Sequence, residues 1–242
     1  MPKYTGRNAV VVGGTTGVGL AIAKRLVEGG AQVLVTADGA HGFADAAGRL
    51  GSAASLVACD LSAADAANAS DAAAALAAEA QRVFGTVDML FVGAEPPAAQ
   101  GALDGCASTA KGAYLAAQAL APLLADDGAV VFTTIAADAC RPGMPDAGVH
   151  AMTASAVHAF ARVLAVELAD RGVRVNAVAP GAIDMPLARN LRSGTAPLGR
   201  RGSVDDVARA ALFLAADATF TTGTVLAVDG GLGSDSRPGL RP

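Results

Sequence analysis

Short apolar runs alternate along this chain with longer segments in which apolar residues recur every three or four positions. Ala9–Gly13, Gln32–Thr36, Ser55–Ala58, Asp88–Val92, Ala129–Thr133, Val173–Ala177 and Val225–Val228 are largely apolar on both faces, the pattern of parallel strands buried inside a sheet. Between them, Val18–Glu28, Ser62–Phe84, Leu103–Leu124, Val149–Asp170 and Val204–Ala216 read as helices. Ser203 stands before Val204-Asp205-Asp206 as an N-cap with acids in the first turn. Gly172 after Asp170-Arg171 reads as a helix stop.

This alternation specifies an α/β fold: a single-domain Rossmann-type doubly wound parallel sheet, about seven strands with helices on both faces. Composition does not break along residues 1–233, so one domain is expected there. Residues 234–242 are polar with two prolines and read as a flexible C-terminal tail. Glu95–Gly101 and Arg141–Ala147 are the linker-like stretches, and the Ala-rich Ala63–Ala80 reads as a surface helix.

Composition narrows the function classes. Hydrophobic residues make up 52% of the 242 and charged ones 17%, enough to bury a large core. The net charge is −4 and aromatics are 4%, which argues against nucleic acid as a partner. No apolar run reads as a membrane span, and the polar start Met1–Asn8 does not read as a signal peptide. Cys59, Cys106 and Cys140 are odd in number and widely spaced, so neither a disulfide framework nor a metal site is expected, and the expected location is cytoplasmic.

The first strand runs into Gly13-Gly14-Thr15-Thr16-Gly17-Val18-Gly19, and a helix opens at once. Glycines there let the backbone turn sharply and approach a pyrophosphate held on the helix N-terminal N–H groups. The spacing is Gly-x-x-x-Gly-x-Gly, and a glycine turn can also simply join a strand to a helix. Asp38, past the second strand, is placed to hold ribose hydroxyls and repel a 2′-phosphate, although Asp38-Gly39 is equally an ordinary turn pair.

At this point the chain resembles the classical short-chain dehydrogenase/reductase family over nearly its whole length. The family's glycine motif falls on Gly13, Gly17 and Gly19, and Cys59-Asp60-Leu61 is similar to its segment that touches adenine. Asp88-Met89-Leu90, Arg174-Val175-Asn176-Ala177-Val178-Ala179-Pro180-Gly181 and Leu198-Gly199-Arg200 follow in the family's order. So do Asp206-Val207-Ala208, Phe213-Leu214-Ala215, Thr222-Gly223 and Val228-Asp229-Gly230-Gly231. The resemblance implies an NAD(P)-binding oxidoreductase scaffold, with cofactor contacts at Gly13, Thr15, Gly17, Val18, Gly19, Asp38, Asp60, Leu61 and Gly93.

The family's reaction centre does not follow. The Tyr of its Tyr-x-x-x-Lys motif falls on His150 and the Lys on Ala154. No lysine occurs after Lys111, and the two tyrosines are Tyr4 and Tyr114. The Ser position falls near Thr133-Thr134, with Thr134 preferred and Ile135 one residue away. The Asn position falls on Thr109, before Lys111-Gly112. The turn after the fourth strand is Val92-Gly93-Ala94-Glu95, with a carboxylate where the family keeps a glycine, and a Thr that holds the nicotinamide amide matches Met185. A ketone that accepts hydride becomes an alkoxide and must gain a proton. A phenol near pKa ~10 supplies it only beside a cation.

Three function classes follow. One is a catalytically degenerate member acting as non-catalytic partner subunit of an NAD(P)-dependent oxidoreductase. The second is an atypical enzyme, a reductase or a non-redox cyclase or dehydratase, with His150 as acid–base and Thr134 orienting a carbonyl. The third is a nucleotide-binding protein without chemistry. His158 reads as a packed or interface histidine, and Arg141 and Asp146 as loop charges. NAD or NADP is the cofactor, with NAD favoured by Asp38 and binding weak or lost. The expected partners are a small-molecule substrate and a homo- or hetero-oligomer, possibly with an intact homologue. Within it the two long helices, including Tyr114, would pair.

Overall fold

The structure is a computed structural model that describes residues 2–37, 42–63, 65–94, 102–136, 146–184 and 196–234. Its strands are β1 (Asn8–Val12), β2 (Gln32–Ala37), β3 (Ala54–Ala58), β4 (Val87–Gly93), β5 (Leu124–Thr133), β6 (Arg174–Pro180), β7 (Ile183–Asp184), β8 (Gly202–Ser203) and β9 (Val225–Val228). The helices are α1 (Gly17–Glu28), α2 (Phe43–Leu50), α3 (Ala66–Phe84), α4 (Ala102–Leu120), α5 (Ala147–Glu167) and α6 (Val204–Ala216).

Seven strands form one parallel sheet in the order β3-β2-β1-β4-β5-β6-β9. Alternate residues of each strand face opposite layers. Val11, Val33, Val35, Phe91 and Val131 pack under α1, α2 and α6, with Ile22, Leu26 and Leu214. Val10, Leu34, Leu90, Val130 and Phe132 pack under α3, α4 and α5, with Leu76, Leu120 and Leu164. Burial on both faces is why the strands carry no polar alternation. The small inner faces of α3 (Ala69, Ala73, Ala80) and α4 (Ala113, Ala116, Ala117) allow close approach to the sheet.

The strand order reverses beside β1, so a crevice opens at the C-terminal ends of β1 and β4, the place where ligands bind in such sheets. At α6 the Ser203 hydroxyl accepts from the Asp206 N–H, and the Asp206 carboxylate accepts from the Ser203 N–H, as the local sequence predicts. Gly172 adopts φ +68° after the turn that follows α5.

The sequence reading omits α2 and the β7–β8 pair. α2 is eight residues long, with only Ala46 and Leu50 buried, and two-residue strands carry no periodicity. Among the described residues α5 has the length and hydropathy of a membrane span. Its inner face nonetheless carries core residues Val157, Ala161 and Leu164. Its outer face leaves Met152, Val163 and Val166 exposed beside the exposed Tyr114 of α4. The ring of Tyr114 meets Phe160 at 5.3 Å between centroids.

Candidate functional site

The glycine loop between β1 and α1 is shaped by contacts its residues cannot vary. Gly13 has φ +75° and Gly17 φ +53°, which favour glycine. A Cβ on Gly19 would overlap the Gly13 carbonyl oxygen, and one on Gly14 would lie 2.8 Å from Val35. Thr36, at the end of β2, fixes the loop: the Gly14 N–H donates to its carbonyl at 3.0 Å and the Gly13 N–H to its hydroxyl at 3.3 Å. The resemblance did not point to Thr36, and a lone polar residue ending an apolar strand is the signal for it.

The first N–H groups of α1 have no intrahelical acceptor, and Thr16 at the N-cap makes no side-chain bond to them. Gly93 of β4 lies 4.0 Å from the Cβ position of Gly13, so neither residue puts a side chain between the ends of β1 and β4. The arrangement fits a pyrophosphate. Thr15 and Val18 turn inward and are buried, Val18 within the core, so Val18 offers only its backbone to a ligand.

Asp60 is exposed beyond β3, and its Oδ1 accepts from the Ser62 N–H at 2.9 Å and the Ser62 hydroxyl at 2.7 Å. Leu61 is buried in the core. Lys111 of α4 donates its ammonium to the Ala63 carbonyl, and Gly112 packs where a Cβ would lie 3.1 Å from the Leu61 carbonyl oxygen. The Asp60–Ala63 turn is therefore clamped from α4. Burial, and secondarily Asp60, push the Cys59 thiol up to about 11, which leaves it protonated and inert at neutral pH.

His150 lies in the first turn of α5. Its backbone N–H donates to Asp146 O at 3.0 Å, and Asp146 holds φ +57° at the helix start. Ala154, one turn on, is 1% exposed. Thr109 of α4 is half-buried.

Thr134 follows β5 directly. It is completely buried, and its hydroxyl lies 2.8 Å from His158 Nε2, with Val178 O at 3.2 Å. His158 is eight residues beyond His150, about 12 Å along the helix axis. The Thr134 hydroxyl is thus engaged between α5 and the sheet. Asp38, Glu95, Arg141 and Met185 lie outside the described residues, as do residues 235–242 of the tail. Among the described residues no three His, Cys, Asp or Glu side chains gather as a metal site.

Comparison with known proteins agrees with this architecture. A family described as Enoyl-(Acyl carrier protein) reductase matches residues 12–233. The chain is 34% identical to an L-fucose dehydrogenase of Bos taurus, covering 95% of this chain and 90% of that protein. It is 32% identical to a cis-4-hydroxycyclohexanecarboxylate dehydrogenase of Sinomonas cyclohexanicum, covering 94% and 97%. A 3-ketoacyl-(acyl-carrier-protein) reductase from Brucella melitensis, solved in complex with NADH, superimposes with a TM-score of 0.80 at 28% identity, covering 95% of this chain and 99% of that one. A double mutant of a Serratia marcescens short-chain dehydrogenase/reductase gives a TM-score of 0.82 at 28% identity, covering 96% and 99%. The chain belongs to the short-chain dehydrogenase/reductase family.

Proposed function

We propose that this chain is a short-chain dehydrogenase/reductase scaffold without a working reaction centre, serving as the non-catalytic subunit beside an intact family member. The observation that carries the reading is Ala154, a buried methyl group where the resemblance calls for a lysine. No other lysine in the chain is placed to substitute. Lys3 pairs with Asp217, Lys24 lies 3.7 Å from Glu28, and Lys111 is bonded to Ala63 O. The relatives carry dehydrogenase names, so the reading rests on this chain's own residues.

The pyrophosphate end of the crevice supports binding of a nicotinamide dinucleotide. Loss of the cation at position 154 argues that binding is weak, and Asp38 favours NAD over NADP. The exposed Met152, Val163 and Val166 on α5, with Tyr114 on α4, support an oligomer in which these helices pair. Native mass spectrometry of the chain mixed with an intact short-chain reductase of the same organism, read alongside turnover of each component, tests the proposal. The expected result is a mixed assembly and no turnover by this chain alone. Dinucleotide-dependent reduction of ketones by the isolated chain would overturn it.

A further inference from the structure

We infer that His150 presents a fixed Nε2–H hydrogen-bond donor to the crevice and does not carry protons. The inference rests on the functional reading above and deepens it, because it assigns the residue that stands in the place of the acid.

Nδ1 of His150 is buried and has no hydrogen-bond partner, the one such side-chain nitrogen or oxygen among the described residues. Nε2 is not buried without a partner in this way, and the residue as a whole is half-buried. A neutral imidazole carries its proton on one nitrogen and a lone pair on the other. With the proton on Nδ1, a donor is buried without an acceptor and bears its full desolvation cost. With the proton on Nε2, water satisfies the donor and only a lone pair is left inside. Orphaned buried N–H groups are the rarer defect, so the neutral ring is the Nε2–H tautomer.

That tautomer decides what the ring can do. In an acid step the Nε2–H bond of an imidazolium would break and an alkoxide O–H bond would form. The electron pair would stay on Nε2, and the remaining proton would sit on Nδ1. In a base step the same Nδ1–H ring would be the starting form. Both directions pass through the buried, unaccepted N–H. Histidines that do this work have a carboxylate or carbonyl accepting from the second nitrogen. Here the carbonyl of Asp146 accepts from the backbone N–H of His150, and among the described residues no group accepts from Nδ1. What remains is a donor for an acceptor oxygen, so the ligand class is a small carbonyl compound or carboxylate that is held and not reduced.

The full chain, labelled with ¹⁵N-histidine, gives the answer in long-range proton–nitrogen spectra at pH 8. Three histidines are present, His41, His150 and His158. His150→Gln assigns the signal by its loss, and if that variant does not fold, His41→Gln and His158→Gln assign it by elimination. The expected ring is Nε2–H. A ring protonated on Nδ1, or evenly mixed, overturns the inference whatever the activity. Turnover that survives His150→Gln overturns the functional reading and leaves the inference standing. Turnover that vanishes in His150→Gln overturns both.

Discussion

The hydroxyl of Thr134 and Nε2 of His158 lie 2.8 Å apart, joining the end of β5 to the fourth turn of α5 beneath the crevice. The Thr134 hydroxyl is buried and His158 half-buried, so the bond between them is partly shielded from water. Thr134→Val and His158→Phe are each expected to destabilise the fold by about 0.5–1.5 kcal/mol, because each removes the hydrogen bond between them. The double variant is expected to lose less than the sum, with a coupling of about 1 kcal/mol. Urea unfolding of the four proteins measures it, and strictly additive losses would show that the pair contributes nothing jointly.

Glycines separate into two kinds. Gly19→Ala is expected to cost about 2 kcal/mol or more and to abolish nucleotide binding, because its Cβ overlaps the backbone of the loop. Gly48, within α2, has open space at its Cβ position, so Gly48→Ala is expected to stabilise by about 0.5–1 kcal/mol. Thermal unfolding of both variants should move in opposite directions.

Restoring the missing pair tests whether only the reaction centre is lost. His150→Tyr combined with Ala154→Lys is expected to bring dinucleotide-dependent ketone reduction above the background of the parent chain, since acid help is worth about 10²- to 10⁴-fold in rate. Ala154 is enclosed, so the lysine also perturbs packing, and circular dichroism must confirm a folded protein. A folded but silent double variant would locate the block in the cofactor site.

The dinucleotide dissociation constant is expected to lie above the micromolar range, with NADH bound more tightly than NADPH. Titration calorimetry on the purified chain reads both. A micromolar or tighter dissociation constant for NADPH would contradict the strength and the preference together.

Arg200, and then the Ser203 backbone N–H and hydroxyl, hold the Asp206 carboxyl well below the usual carboxylate range. An unfolded Asp titrates near pKa ~3.9. The folded value is the lower one, so the carboxylate's contribution is complete above about pH 4 and is lost as pH falls through the folded value. The stability gap between the parent and Asp206→Asn should therefore narrow from pH 6 to pH 2.5. A gap independent of pH would remove the carboxylate from the cap.

The sheet was legible because its strands are buried on both faces and leave unbroken apolar runs such as Asp88–Val92. The cap at Ser203 and the stop at Gly172 were legible because each acts through residues within a few positions of itself. What escaped was contact between residues far apart in the chain. Nothing near Thr134 announces His158, and nothing near Ala63 announces Lys111. α2 escaped because an eight-residue helix with two buried positions has little periodicity to read.

Arg174 opens β6 and donates to Leu214 O and Ala215 O in the last turn of α6 and to Ala218 O just beyond it. Partial burial also holds its guanidinium below the usual arginine range. The last turn of α6 therefore cannot fray by itself, since opening it would strand a charge already withdrawn from solvent. Amide protons there should exchange with deuterium as slowly as those of β6, and the two should open together. The helix α6 is thus expected to open together with β6, and a proteolytic nick after α6 is expected to leave the helix in place.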